Sequence, residues 1–192
     1  MKKKLFALSL MAMLIAICSF GTAAFYNAQD TAHNVITMGN VNIAIYEWAD
    51  EDKTISFSNL DGVMPNTSVT KVVEIRNTGK SDAWVRVRID KCISLNSGSD
   101  GDTGLIALNI NEGSWIDGND GYYYYSKKLS EDEYTEPVFT KVDFSKDMDN
   151  AYVGAVCSVN VYAEAVQSAN NGDDVLSAAG WPDEGDWEEE YE

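Results

Sequence analysis

The sequence predicts an all-β fold, a jelly-roll-like antiparallel β-sandwich, and three observations predict it. Apolar and polar residues alternate with period two in several short runs, most clearly in "AWVRVRID" at 83–90. Clusters of Asp, Gly, Pro and Asn punctuate the runs, as in "DGVMPNTS" at 61–68 and "NTGKSD" at 77–82. No long segment carries a helical period. Many short strands with regular turn signals are the pattern of a sandwich or jelly roll.

The elements follow in order. Lys2, Lys3 and Lys4 precede a 16-residue apolar run, "LFALSLMAMLIAICSF", and the small residues "GTAA" follow it. This is the layout of a secretory signal peptide, and the run is short for a membrane span of ~20 residues. Cleavage is expected at Ala23 and Ala24, so that the chain divides into a signal peptide at 1–23 and a connector or possible donor strand at 24–40. A β-sandwich at 41–168 and a C-terminal segment at 169–192 complete the division. Cys18 raises a lipoprotein reading, but Ile17 stands where a lipobox needs Gly or Ala.

"VNIAIYEW" at 41–48 alternates, and "KTISFSNL" at 53–60 is a second short alternating run. "VTKVVEIRN" sets Val69, Lys71, Val73 and Ile75 on one side. The next strand points Ala83, Val85, Val87 and Ile89 inward, and Trp84, Arg86, Arg88 and Asp90 outward. "GYYYYSKKL" and "VFTKVDF" read as further strands. In the first, two tyrosine rings pack inward and two face out, either as a contact surface or under neighbouring chain. The last strand, "YVGAVCSVNVYAEAV", keeps Val153, Ala155, Cys157, Val159, Val161 and Ala163 in phase. Val73, Ile75, Val85, Val87, Ile89, Val159 and Val161 are therefore expected between the sheets. "DDVLSAAGW" allows a short helix capped by Asp173 or Asp174. From Asp173 onward there are nine acidic residues and no basic one, the composition of a solvated tail.

Charge and residue inventory exclude several functions. Without Lys2, Lys3 and Lys4, 11 basic residues stand against 31 acidic ones. Nucleic acid is excluded as a partner on this balance, because phosphate binding needs surplus Lys and Arg. His33 is the one histidine, and a zinc protease site needs a histidine pair one helical turn apart. No catalytic residue, metal ligand or cofactor is therefore expected. Asp100 and Asp102 have the one–three spacing of calcium ligands, and "DGNDG" at 117–121 is similar. Asn111 occupies the position where an EF-hand closes its site, and Asp-Gly pairs are also ordinary turn chemistry. Cys157 lies in phase with the apolar face of its strand and Cys92 with the polar face of its own. Opposite phases disfavour a disulfide, with a buried thiol at Cys157 the alternative.

Four stretches in this order resemble the TasA/camelysin family of Gram-positive surface and biofilm-matrix proteins. They are "GTAAFYNAQDTAHNVITMGNVNIAIYE", "VMPNTSVTKVVEIRNTGKSDAWVRVRI", "DGYYYYSKKLSEDEYTEPVF" and "VNVYAEAVQSANN". The resemblance implies a jelly-roll sandwich and export through a SipW-type, ER-like signal peptidase. It also implies self-assembly: the segment behind the cleavage site leaves its own subunit and adds as a strand to the next. Ala24, Phe25, Tyr26 and Asn27 would begin that donor segment. The partner is then a second copy of the chain, in a head-to-tail homopolymer, with other matrix proteins as further partners. Two other function classes compete. One is a camelysin-type secreted metalloendopeptidase, which the single histidine disfavours; the other is a monomeric surface adhesion module.

Overall fold

Among the described residues, nine strands form two sheets that enclose an apolar core. A computed structural model of the chain describes residues 35–38, 41–57 and 65–182, with the side chains of 36–38 left aside. All described residues fall within one compact unit of the chain, Ala32–Glu192. The strands are β1 (Val35–Met38), β2 (Ile43–Trp48), β3 (Ser68–Asn77), β4 (Ala83–Ser94) and β5 (Ile106–Leu108). They continue as β6 (Trp115–Asp117), β7 (Tyr122–Tyr125), β8 (Phe139–Phe144) and β9 (Val156–Gln167). One sheet has the order β1-β9-β4-β7-β6 and the other β2-β3-β8-β5. Every pairing is antiparallel except that of β1 with β9, which is parallel.

The backbone of the first sheet is the β4–β9 pair, which runs in register from Ala83 opposite Gln167 to Ser94 opposite Val156. The alternation read from "AWVRVRID" has its physical cause here. Val85 and Val87 are completely buried between the sheets, as are Val73 and Ile75 on the facing sheet. Val161 joins them, and Ile89 and Val159 pack against the same cluster while partly exposed.

The "NTG" turn between β3 and β4 is built around a buried amide. Asn77 is fully buried, and its Nδ2 donates to the carbonyls of Ser81 (2.8 Å) and Leu129 (2.9 Å). Its Oδ1 accepts from Gly79 N at 2.9 Å. Gly79 N also meets Asn42 O, and a Cβ on Gly79 would sit 2.6 Å from Asn42 N. Only glycine lets the turn close against the segment leading into β2.

Four findings depart from the sequence expectations. β1, within the 24–40 connector or possible donor strand, pairs with β9 of its own chain. Two very short strands, β5 and β6, appear where no alternation announced them. The "KTISF" part of the run at 53–60 makes only an isolated bridge, Ser56 to Trp48. In β3, the register with β8 shifts between Thr70 and Val73, an extra residue that breaks the simple alternation there.

A candidate assembly edge and an enclosed arginine

β9 is a central strand along only part of its length. On its β1 side, Ala163 to Val166 pair with Val35 to Met38. Among the described residues, no strand pairs with Val156–Val161 on that side. The hydrogen-bonding phase identifies which groups face outward there. Ile93 O accepts from Gly101 N, so Ile93 turns its polar groups away from β9. Its cross-strand partner Cys157, and by alternation Val159 opposite Lys91, must then turn theirs away from β4. The carbonyls and N–H groups of Cys157, Val159 and Val161 therefore face the side β1 leaves open.

A lysine from the opposite sheet fills this opening. Lys71 is 5% exposed, and its Nζ donates to Val159 O at 2.9 Å. The ammonium lies 3.0 Å from Glu47 Oε1 and 4.6 Å from the centre of the Phe57 ring. The irregularity in β3 between Thr70 and Val73 is where Lys71 sits, so the extra residue aims it across the sandwich. Sequence reasoning placed Lys71 on the inner face but assigned it no role. A lysine in phase with Val69, Val73 and Ile75 was the available signal.

The outer face of the β9-β4-β7 sheet carries a second apolar cluster. It contains Trp84, Tyr122, Tyr124, Val166 and Val175, with Ala178 and Trp181 packed against it. The C-terminal segment that follows β9 supplies the last three. Trp84 Nε1 donates to Asn171 O at 2.8 Å. A one-turn 3-10 helix at Val175–Ser177 is capped by Asp174 through a capping box with Ser177. The outward residues Trp84 and Arg86 and the outward rings Tyr122 and Tyr124 are thus all buried. Inward, Tyr125 joins the main core and Tyr123 packs against it.

Arg86 lies at the centre of this covered face. Its Nε donates to Glu164 Oε2 at 2.6 Å and its NH1 meets Tyr124 Oη at 3.2 Å. NH2 donates to Pro182 O at 3.4 Å, and the guanidinium stands 3.8 Å from the Tyr122 ring centre and 4.7 Å from that of Trp181. Tyr122 Oη donates to Glu164 Oε1 at 3.0 Å, and Tyr124 Oη to Asp120 Oδ2 at 2.6 Å. Burial opposes the charge on Arg86, but its bonds to Tyr124 and Glu164 prevail and hold its pKa above the ordinary value. The polar groups of the cluster partner one another, which is the chemistry of a structural lock.

The residues expected to form the cleavage site and donor segment, Ala23, Ala24, Phe25, Tyr26 and Asn27, lie outside the described residues, as does His33. Cys92 and Cys157 are free. Cys157 packs against the core and Cys92 is exposed, and they occupy adjacent rungs, Cys92 opposite Ser158 and Cys157 opposite Ile93. Burial, then the nearness of Cys92, raises the Cys157 thiol pKa. In the aspartate-rich loops the carboxylates cap turns. Asp102 Oδ1 accepts from Gly104 N at 2.8 Å and Asp117 Oδ1 from Asn119 N at 2.8 Å. Among the described residues, no group of three or more His, Cys, Asp and Glu side chains is arranged to hold a metal ion. None of the described helices is long and apolar enough to cross a membrane. Comparison with protein-family models, with curated proteins and with solved structures found no match.

Proposed function

We infer that the protein is an exported structural protein whose copies join by strand addition into extracellular matrix fibres or a cell-surface layer. One observation carries this reading. β1 is a four-residue strand held in parallel register on the edge of β9, and beyond it that edge has no strand partner among the described residues. An edge with free main-chain groups is a template for an incoming strand. The segment preceding β1 is the one expected to be freed by signal-peptide removal. Strand exchange from it would be head-to-tail and open-ended, the geometry of a filament.

A jelly-roll connectivity, which the family resemblance implies, draws support from the way successive strands change sheets. Successive strands alternate between sheets from β3 to β6 and again from β7 to β9, with β6 and β7 together in one sheet. In this reading a SipW-type signal peptidase acts during export, and other matrix proteins are further partners. The test is electron microscopy of the secreted protein beside a variant lacking Ala24–Asp30. Filaments from the first and a folded, unassembled chain from the second are expected. Equal polymerisation of both, or filaments from neither, would sink the reading.

A further inference from the structure

The C-terminal segment is fastened over the outer face of the β9-β4-β7 sheet through Asn171. The side-chain Nδ2 donates to Gln167 O at 3.0 Å and to Ala179 O at 2.9 Å, and Oδ1 accepts from Ala179 N at 2.8 Å. The backbone carbonyl of the same residue takes Trp84 Nε1 at 2.8 Å. One carboxamide thus ties the end of β9 to a residue eight positions beyond Asn171. The capped turn at Val175–Ser177 lies inside this tie and places Val175 in the apolar cluster. Past the tie, Trp181 and Pro182 close over Arg86.

Asn171 is also the one asparagine of the sequence that a glycine follows. An Asn-Gly pair is the most reactive setting for an asparagine side chain, because glycine has no Cβ to shield its backbone nitrogen. The fold does not admit another residue there. Gly172 has a φ of 75°, and a Cβ on it would lie 2.6 Å from Ser177 Oγ and 2.9 Å from Ser177 C. The turn that seats Val175 therefore requires the glycine that makes Asn171 labile. Asn171 is half-buried and Gly172 exposed, so water reaches the pair.

We propose that Asn171 is a deamidation site and that the reaction is a one-way release of the C-terminal segment. Gly172 N attacks Asn171 Cγ, the Cγ–Nδ2 bond breaks, and ammonia leaves with the proton from Gly172 N. Water then opens the resulting succinimide at one of its two ring C–N bonds, giving aspartate or isoaspartate. In the latched chain both ends of the carboxamide are bonded, so the reaction proceeds from molecules in which the tie has opened locally. The product cannot close the tie again. A carboxylate only accepts, so both bonds donated by Nδ2 are lost and its oxygens face the carbonyls of Gln167 and Ala179. Isoaspartate also adds a carbon to the backbone, which displaces the carbonyl that Trp84 holds. The face then uncovered carries Trp84, Arg86, Tyr122 and Tyr124. This release is independent of strand addition.

The full chain, held at mildly alkaline pH in buffer and in urea, tests this by peptide mass mapping, an isoaspartyl methylation assay and tryptophan emission. In buffer, Asn171 should convert ahead of the other asparagines, and urea should speed its conversion. The converted chain should show red-shifted emission and bind a hydrophobic dye while keeping β-type circular dichroism. Asn171→Asp should show both signals when freshly made. Ala179→Pro removes the N–H that Asn171 Oδ1 accepts, and Ala178, at φ −67° and ψ 145°, suits a following proline. It should raise the conversion rate in buffer roughly two- to tenfold, the opening gained by losing one hydrogen bond, and leave the rate in urea unchanged. If Asn171→Asp does not fold, the aged wild-type chain, folded before conversion, decides in its place. The proposal is overturned by conversion at Asn171 no faster than at the other asparagines, or by an emission spectrum that conversion leaves unmoved. The same rate in buffer for Ala179→Pro as for the wild type, or no gain in urea, overturns it equally.

Discussion

Arg86 and Glu164 face each other across the β4–β9 rung, Nε to Oε2 2.6 Å apart, with Glu164 completely buried. A buried ion pair offsets a large desolvation cost only while both partners are present. The rest of the cluster depends on this pair: Tyr122 donates to Glu164, and Trp181 lies against Arg86. Glu164→Ala should therefore cost about 3–5 kcal/mol in urea unfolding, because it strands a buried guanidinium. Arg86→Met combined with Glu164→Leu should recover much of the loss. A single substitution that melts like the wild type would show that the cluster is not closed in solution.

The C-terminal segment is expected to contribute stability through the face it covers. Trp181→Ala removes a half-buried ring from Arg86 and Tyr124, whose ring centre lies 5.9 Å away. A loss of about 1–2 kcal/mol follows from apolar burial together with the cation–π contact. Ending the chain after Ser168 should go further, exposing Trp84, Tyr122 and Tyr124. A red shift in tryptophan emission and new binding of a hydrophobic dye are the signals to measure. Neither should appear if the segment is dispensable.

Acid should act through Glu136. Lys127 Nζ donates to its Oε1 at 2.5 Å and Tyr125 Oη to its other oxygen, and together they pull its pKa from 4.5 to about 2. A carboxylate depressed in the folded state contributes stability that is complete above its unfolded pKa. That contribution is lost as the pH falls from about 4.5 toward about 2. Glu136→Gln should flatten this part of the stability–pH curve and leave the neutral region nearly unchanged. The carboxylate is half-exposed, so the effect is modest. A variant curve as steep as the wild type between those limits would place the acid sensitivity elsewhere.

The cysteines should behave as two different thiols. Cys92 is exposed, whereas Cys157 packs against the core with its pKa raised by burial. A thiol reagent at neutral pH should label one site in the folded chain, at Cys92, and both only after unfolding. Intact mass should show Cys92 and Cys157 as free thiols. A mass lower by one disulfide would mean that the strand register differs from the one described.

Period two was legible in the sequence wherever one face of a strand is dry and the other was read as wet. The β4 alternation located Val85 and Val87 correctly because burial of β-branched residues dictates that pattern. The turn at Asn77–Gly79 was equally visible, since its chemistry is local. The short strands β5 and β6 were not, because three residues are too few to show a period.

The candidate edge was legible only in part. The segment ahead of β1 stood out by its place behind a stretch with the layout of a targeting sequence. The edge that could receive it depends on β1 lying beside β9 and on a lysine aimed from another sheet, contacts between residues 88 positions apart in Lys71 and Val159. The same holds for Arg86. Its sequence neighbours mark a polar face, yet a segment 96 residues later supplies the Pro182 carbonyl that helps bury it. Local alternation fixes which way a side chain points from its own sheet. What then covers that side chain is settled by chain that returns from far away, and no local pattern records it.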